Sequence, residues 1–385
     1  MLTILVFVAI LGVLVFVHEL GHFVVARRNG IKCDEFGFGF PPRAIGWFFD
    51  EKTKKWIFIK GSKEIKSENT VFSLNWIPIG GFVKMKGEDG GDKKEKNSFA
   101  SKTPFVRFKV LIAGVTMNII FAWIFFSATF MLGTFEDVTG MNVAGSKILI
   151  EGVEYGSPAQ KVDLRTGDVL IGNGTVNFRN ITDVQAYAND NRGKEIRLAI
   201  ERNGKQLILH VTPREKTVAN QGALGISAFA EVISIRYSFF RAAWEGLREI
   251  ANFFVSFGFL ITQLFHGNNE GVQAVGPVGI VLFTGKVLSL GFSFILHFAG
   301  ILSINLAIIN ALPIPALDGG RILFILIEKI KKSPINEKTE QTIHTIGMII
   351  LLGLMALITV KELFSPEVLD NFKNITHKLL GLFIG

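Results

Sequence analysis

The sequence predicts a polytopic α-helical membrane protein of about four transmembrane helices. A cytosolic, membrane-associated β region and one extracytoplasmic, mostly β insert complete it. Three observations lead there. Of 385 residues, 49% are hydrophobic and 19% charged, against roughly 25% charged in a typical soluble domain. The apolar residues gather in blocks long enough to span a hydrocarbon core. Lys and Arg crowd the segments between particular blocks, which orients the spans. With 11 Pro and one Cys, composition argues against a disordered chain, a collagen and a disulfide scaffold.

Residues 1–26 form the first span. No charge precedes His18, and the basic n-region of a signal peptide is missing. Arg27 and Arg28 follow, which places this end in the cytoplasm. Residues 27–103 hold 16 Lys or Arg and 10 Asp or Glu, as a cytosolic loop should. Strand-forming runs at residues 56–59 and 71–76 predict a β hairpin region there, and residues 90–101 read as a flexible charged linker. The second span covers 104–135. Residues 140–215 form a soluble insert, with β-type runs at 147–150, 169–171, 195–201 and 206–211. Asn203-Gly204 predicts a tight hairpin between the last two.

Residues 231–275 read as an amphipathic helix region on the outer surface, because Arg241, Glu245, Arg248 and Glu249 interrupt the apolar pattern. Residues 285–327 are the third transmembrane segment and 342–361 the fourth helix, leaving 362–385 as a C-terminal tail. An even number of crossings must separate the second span from the third. None gives four spans, and two give six. The net charge of +8 follows from the cytosolic loops. The bilayer is the implied partner, and no arginine-rich stripe points to nucleic acid. Cys33 is the single cysteine and reads as an ordinary thiol.

The sharpest motif is His18-Glu19-Leu20-Gly21-His22. Residues i and i+4 share a helix face, so both histidines can reach one cation. Glu19 sits where a general base for water is needed. Such residues inside an apolar span are costly unless paired, ligated or hydrated, and a zinc site accounts for all three. Zinc needs a third protein ligand. Asp318 is the only acidic residue between Gly271 and Ile327. Pro313, Pro315, Gly319 and Gly320 surround it, and non-helical backbone at membrane depth belongs beside water or buried in protein. Asn118, Asn305 and Asn310 also lie in apolar surroundings. Each could bind substrate or donate to an oxyanion, and each could equally join helices.

These motifs resemble the site-2 protease family of intramembrane zinc metalloproteases, and within it the bacterial RseP/RasP-like proteases that regulate sigma factors. The resemblance rests on residues 18–23, on Gly80-Gly-Phe-Val-Lys-Met85, on Ala113-Gly-Val-Thr-Met-Asn118, on Ser303-Ile-Asn-Leu306 and on Leu317-Asp-Gly319. It implies one catalytic Zn2+ held by His18, His22 and Asp318, with Glu19 activating water and Asn305 and Asn310 near the substrate. It implies a β hairpin that enters the membrane. The implied substrates are single-pass membrane proteins, of anti-sigma-factor or remnant-signal-peptide type, already cut by an upstream site-1-type protease. The implied location is the bacterial cytoplasmic (inner) membrane, with the active site near the cytosolic side. Relatives often carry His after the Asp-Gly-Gly, where this chain has Arg321, so the role of that position stays open.

Residues 156–170 and the later hairpin resemble a PDZ domain, although Val162-Asp163-Leu164 departs from the usual Ala-Gly-Leu. Such a domain could bind a carboxyl terminus by strand addition or exclude folded ectodomains by size, and the size filter is the favoured reading. The rival class is a transporter or scaffold with these ionisable residues in an ion path. Paired inverted repeats would favour transport, and the sequence shows none.

Overall fold

In chain order the elements are α1 (Leu2–Arg28), β1 (Cys33–Asp50), β2 (Lys55–Lys60), β3 (Val71–Met85) and α2 (Pro104–Leu132). A largely β section follows: β4 (Thr134–Asp137), β5 (Lys147–Val153), α3 (Pro158–Lys161), β6 (Val169–Gly172), α4 (Ile181–Asp190), β7 (Ile196–Arg202), β8 (Lys205–Val211) and β9 (Ile226–Ile235). Among the described residues five helices follow: α5 (Phe239–Phe265), α6 (Pro277–Leu290), α7 (Phe292–Ala311), α8 (Asp318–Lys331) and α9 (Glu337–Leu363). The computed structural model describes all residues except 1, 62–66, 89, 142, 144, 155, 203, 217–221, 268–274, 334 and 366–385. Among the described residues, α1, α2, α7 and residues 338–363 of α9 are long and apolar enough to cross a membrane. The chain is therefore a polytopic membrane protein. α6 has only 14 residues, about 21 Å of helix at 1.5 Å per residue, and falls short of a bilayer.

The chain divides into two compact units. One comprises Met1–Phe126, Gly246–Gly285 and His297–Gly385, and the other Ser127–Glu245 and Lys286–Leu296. In the first unit, an apolar core of Ala26, Ile31, Phe36, Val83, Met85, Phe99, Val110 and Ile325 joins α1, the β1–β3 sheet, α2 and α8. The predicted linker 90–101 is not free. Phe99 is buried in this core, Asn97 O accepts from Lys32 N at 2.9 Å, and Phe99 N donates to Lys86 O at 2.8 Å.

The β region is larger than a hairpin. β1 and β3 each fold back on themselves, so three strands make five ribbons. Phe36 pairs with both Phe72 and Val83, and Phe72 pairs with both Phe36 and Trp47. On its other side, β1 pairs with β2 from Ile45 to Asp50. Across the sheet the order is residues 55–60, 43–50, 71–75, 33–38 and 81–85. Pro41-Pro42 and Pro78-Ile-Gly-Gly81 supply the two bends, because Pro cannot donate to a ladder and Gly adopts left-handed backbone. Gly39 and Gly80 have φ of 81° and 77°. Among the described residues, 81–85 have no strand partner on their outer edge. A groove of about 520 Å³ lies along them, lined by Asp34, residues 82–88 and Asp92.

In the second unit, six antiparallel strands run in the order β4-β9-β5-β6-β7-β8. The predicted insert 140–215 is too short, because β4 and β9 belong to the same sheet. Its hairpin connects β7 to β8 through two residues, with Arg202 opposite Lys205; Asn203 lies outside the described residues. Ile148, Ile150, Leu170, Leu198, Ile200 and Val184 fill the core under α4. Asp168 is buried and takes both Arg202 Nε and Nη2 at 2.6 Å, a bidentate pair that holds Arg202 charged. A cleft of about 470 Å³ opens between α4 and the start of β9, lined by Val184, Ala188, Leu224, Ile226 and Phe229 among others. β4 covers only residues 232–235 of β9. The edge of 226–230 has no strand partner on that side among the described residues.

Three expected boundaries move. Residues 231–235 are strand, and the helix expected over 231–275 begins at Phe239. α2 stops at Leu132, where Gly133 has φ of 107°, and Phe135 enters β4. The segment 285–327 is not one span. Gly291, with φ of 111°, separates α6 from α7, and the prolines at 313 and 315 end α7 before α8 starts at Asp318. The tail beyond residue 365 lies outside the described residues.

Candidate metal centre

The first unit brings together His18, His22 and Asp318 from the two ends of the chain. α1 is helical through the motif, which stacks His18 over His22 one turn apart. Their rings stand edge to face with centroids 4.7 Å apart. Asp318 is the first residue of α8, where the helix macrodipole favours a carboxylate. The two glycines after it are required by close packing. A Cβ at Gly319 would lie 2.1 Å from Leu312 O, and one at Gly320 2.4 Å from Ile314 O. The turn before Asp318 is held from α9, where His344 Nδ1 accepts from Ala316 N at 2.9 Å. Ala316 itself has φ of 81°.

The donor atoms lie close together. His18 Nε2 is 3.0 Å from Asp318 Oδ2, His22 Nε2 is 3.2 Å from the same oxygen, and the two Nε2 atoms are 3.1 Å apart. The partners of the other ring nitrogens decide what these atoms carry. His22 Nδ1–H donates to Val110 O at 2.8 Å, because a carbonyl only accepts, so neutral His22 has a lone pair on Nε2. The Asn118 amide sits 3.2 Å from His18 Nδ1, and Asn118 Oδ1 is buried without a partner. Turning that amide over, a choice left to hydrogen-bond logic, lets Oδ1 accept from His18 Nδ1–H. This satisfies the buried oxygen and leaves the His18 Nε2 lone pair facing the others. Three lone-pair donors at this spacing repel unless a cation lies among them. Two imidazoles and a carboxylate suit zinc, and tetrahedral ligands about 2.0–2.1 Å from an ion stand about 3.3 Å apart. The observed separations fit. Cys33 is buried and lies outside this group of donors.

Glu19 is half-buried beside the ligands. Its charge acts on His22, His18, Asp318 and Glu88, and its Cγ would lie 3.8 Å from a Cβ at Gly81, on the open-edged limb of β3. Asn118 is placed differently from the expectation for a substrate or oxyanion group. It is fully buried behind His18, so its amide orients a ligand. Ser303 Oγ donates to the Asn118 carbonyl at 2.8 Å and ties α7 to this point. Asn305 and Asn310 are partly buried on α7 and keep side-chain amides that bond to no described residue.

Two features of the centre escaped the sequence reading. Val110, Gly114 and Asn118 recur every four residues on α2, so they form one stripe facing the histidines. Gly21 and Gly114 let α1 and α2 approach: a Cβ at Gly21 would lie 2.4 Å from Ala113 O, and one at Gly114 2.5 Å from His22 Nε2. Gly114→Ala is therefore expected to push the histidines off their positions. Zinc per chain should fall well below that of the parent, while the helical circular dichroism is retained. Unchanged zinc content would show that the stripe has no such role.

The chain is also similar to known proteins over most of its length. The model of peptidase family M50 matches residues 6–61 and 57–354. A protein of Fusobacterium nucleatum is 33% identical over 373 residues, covering 94% of this chain and 99% of its own length. One of Rickettsia conorii is 30% identical over 383 residues, covering 95% and 100%. One of Clostridium acetobutylicum is 28% identical over 356 residues, covering 92% and 95%. Each is named "putative zinc metalloprotease". The chain belongs to peptidase family M50, the site-2 protease family.

Proposed function

We propose that this chain is a zinc metalloendopeptidase that hydrolyses peptide bonds within transmembrane segments of single-pass membrane proteins. The observation that carries it is the convergence of three lone-pair donors within 3.2 Å, beside Glu19 and an unpaired strand edge. His18, His22 and Asp318 would hold one Zn2+. When bound, the ion supplies Lewis acidity toward the scissile carbonyl and lowers the pKa of water. Glu19 takes the proton from the attacking water and delivers it to the leaving amine as the C–N bond breaks. The amides of Asn305 and Asn310 are the remaining candidates to donate to the substrate or the oxyanion. Asn118 keeps His18 in the ligating tautomer.

A helical peptide bond is shielded by its own hydrogen bonds, so the substrate must be extended before it is cut. Residues 81–85 offer an edge for strand addition, and Gly81 puts that edge next to Glu19. Trp56, Phe58 and Trp76 stand exposed on the sheet, which suits a sheet immersed in the membrane interface. Arg27, Arg28 and the basic loop support a cytosolic position for the site. The bacterial inner membrane, the anti-sigma-factor or signal-peptide substrates and an upstream site-1-type protease complete the proposal.

The second unit is proposed to be an extracytoplasmic PDZ domain. The cleft between α4 and the free edge of β9 favours carboxyl-terminal binding over a role as size filter alone, because strand and helix are both in place to receive a peptide. One assay tests the whole reading. Purified protein in proteoliposomes should cut a single-span substrate lacking its ectodomain and spare the intact one. Deleting residues 145–212 should weaken binding of the pre-cut substrate. Cleavage of the intact substrate by that deletion would instead favour the filter. A zinc-loaded parent that leaves the pre-cut substrate whole overturns the proposal.

A further inference from the structure

α8 is seated by two ion pairs on one face. Arg321 Nη1 lies 2.5 Å from Glu88 Oε1, and Glu328, two turns later, pairs with Arg107 of α2. Both pairs line one cavity of about 440 Å³, together with Lys93, Glu340 and His344. The first pair joins two consequential places. Arg321 follows Asp318 by one helical turn. Glu88 follows the end of β3 by three residues, and its Oε2 accepts from Met85 N at 3.4 Å. One carboxylate thus grips the last residue of the open-edged limb and the first turn of the ligand-bearing helix. Arg321 and Glu88 are both largely withdrawn from solvent, with side chains 31% and 24% exposed. Such a pair is geometrically specific, and removing one partner leaves the other charge uncompensated.

We infer that the Arg321–Glu88 pair is a positioning device that sets the register between the β3 edge and the metal ligands. It thereby selects which peptide bond of a strand-added substrate is cut. This rests on the zinc and strand-addition reading above. A strand advances about 3.3 Å per residue, so a slip of one residue presents a neighbouring bond and turns every side chain to the other face. Nothing else among the described hydrogen bonds joins residues 85–88 to the first turn of α8. Loosening this link should therefore spread the cuts before it disturbs the metal.

The test uses the full chain in proteoliposomes with one single-span substrate. Products are located by mass spectrometry, and zinc per chain and the thermal midpoint are measured in parallel. Arg321→Gln and Glu88→Gln each strand one partner, so the decisive variant is the Glu88→Gln/Arg321→Gln double, which leaves no unpaired charge. The parent should give one dominant cut. The double variant should keep its zinc and give cuts at neighbouring bonds, with kcat lowered about 10–100-fold and KM little changed. It should be no worse than either single variant, because the two residues act as one unit. Arg321→Lys should retain the dominant cut. A zinc-loaded double variant that cuts only the parental bond, at whatever rate, overturns the inference. So does one that loses its zinc, since the pair would then brace the ligand itself. A parent that binds no zinc or cuts nothing overturns the reading of the site instead, before any variant is compared.

Discussion

Glu19→Gln protein is expected to bind zinc as the parent does and to lose roughly 10²–10⁴-fold in kcat, the usual worth of a positioned proton-transfer group. Gln keeps the size and the hydrogen-bonding reach of Glu but cannot accept the proton from water. Glu19 stands outside the set of three donors that face one another, so its replacement should leave metal content alone. The separation of the two readouts is the informative part. Loss of zinc together with activity would move Glu19 into the ligand shell. A parental rate in the Glu19→Gln variant would require another base.

The second large effect concerns Asp318. Asp318→Ala removes the only carboxylate among the three donors and leaves two imidazoles 3.1 Å apart with nothing opposite them. Zinc affinity, measured by chelator competition, should fall by more than the about 10–100-fold that loss of an outer-shell partner costs. Because a ligand that binds only the folded state stabilises it, the rise in thermal midpoint on adding zinc should also shrink or vanish. Retained affinity would remove Asp318 as a ligand and break the link between the two ends of the chain. The position of Asp318 depends on the glycines behind it, so this result also bears on why the segment after α7 is not a continuous helix.

Much of this was legible in the residues alone, because it rested on local spacing. The interval from His18 to His22 is a helix turn, and a lone Asp318 among prolines and glycines in apolar sequence is conspicuous. The four long helices follow from block length and hydropathy. What stayed hidden depends on partners distant in the chain. No local pattern states that Phe72 pairs on both sides, so a folded-back sheet of five ribbons looked like a hairpin. β9 lies beyond the hairpin that ends the expected insert, its apolar and polar residues do not alternate cleanly, and its residues 231–235 fall in the region expected as an amphipathic helix. Asn118 looked like a free amide because its partner, His18, is 100 residues away. The small residues Gly21 and Gly114 carry no chemistry of their own. Their meaning appears only where two helices touch.

The central claim is that His18, His22 and Asp318 together hold one zinc ion. Zinc K-edge X-ray absorption on the purified protein tests it most directly. The expected spectrum shows nitrogen and oxygen donors only, at about 2.0–2.1 Å, with the scattering pattern of two imidazoles, and it is lost in Asp318→Ala. A sulfur donor at about 2.3 Å, or the same spectrum in Asp318→Ala protein, would contradict it.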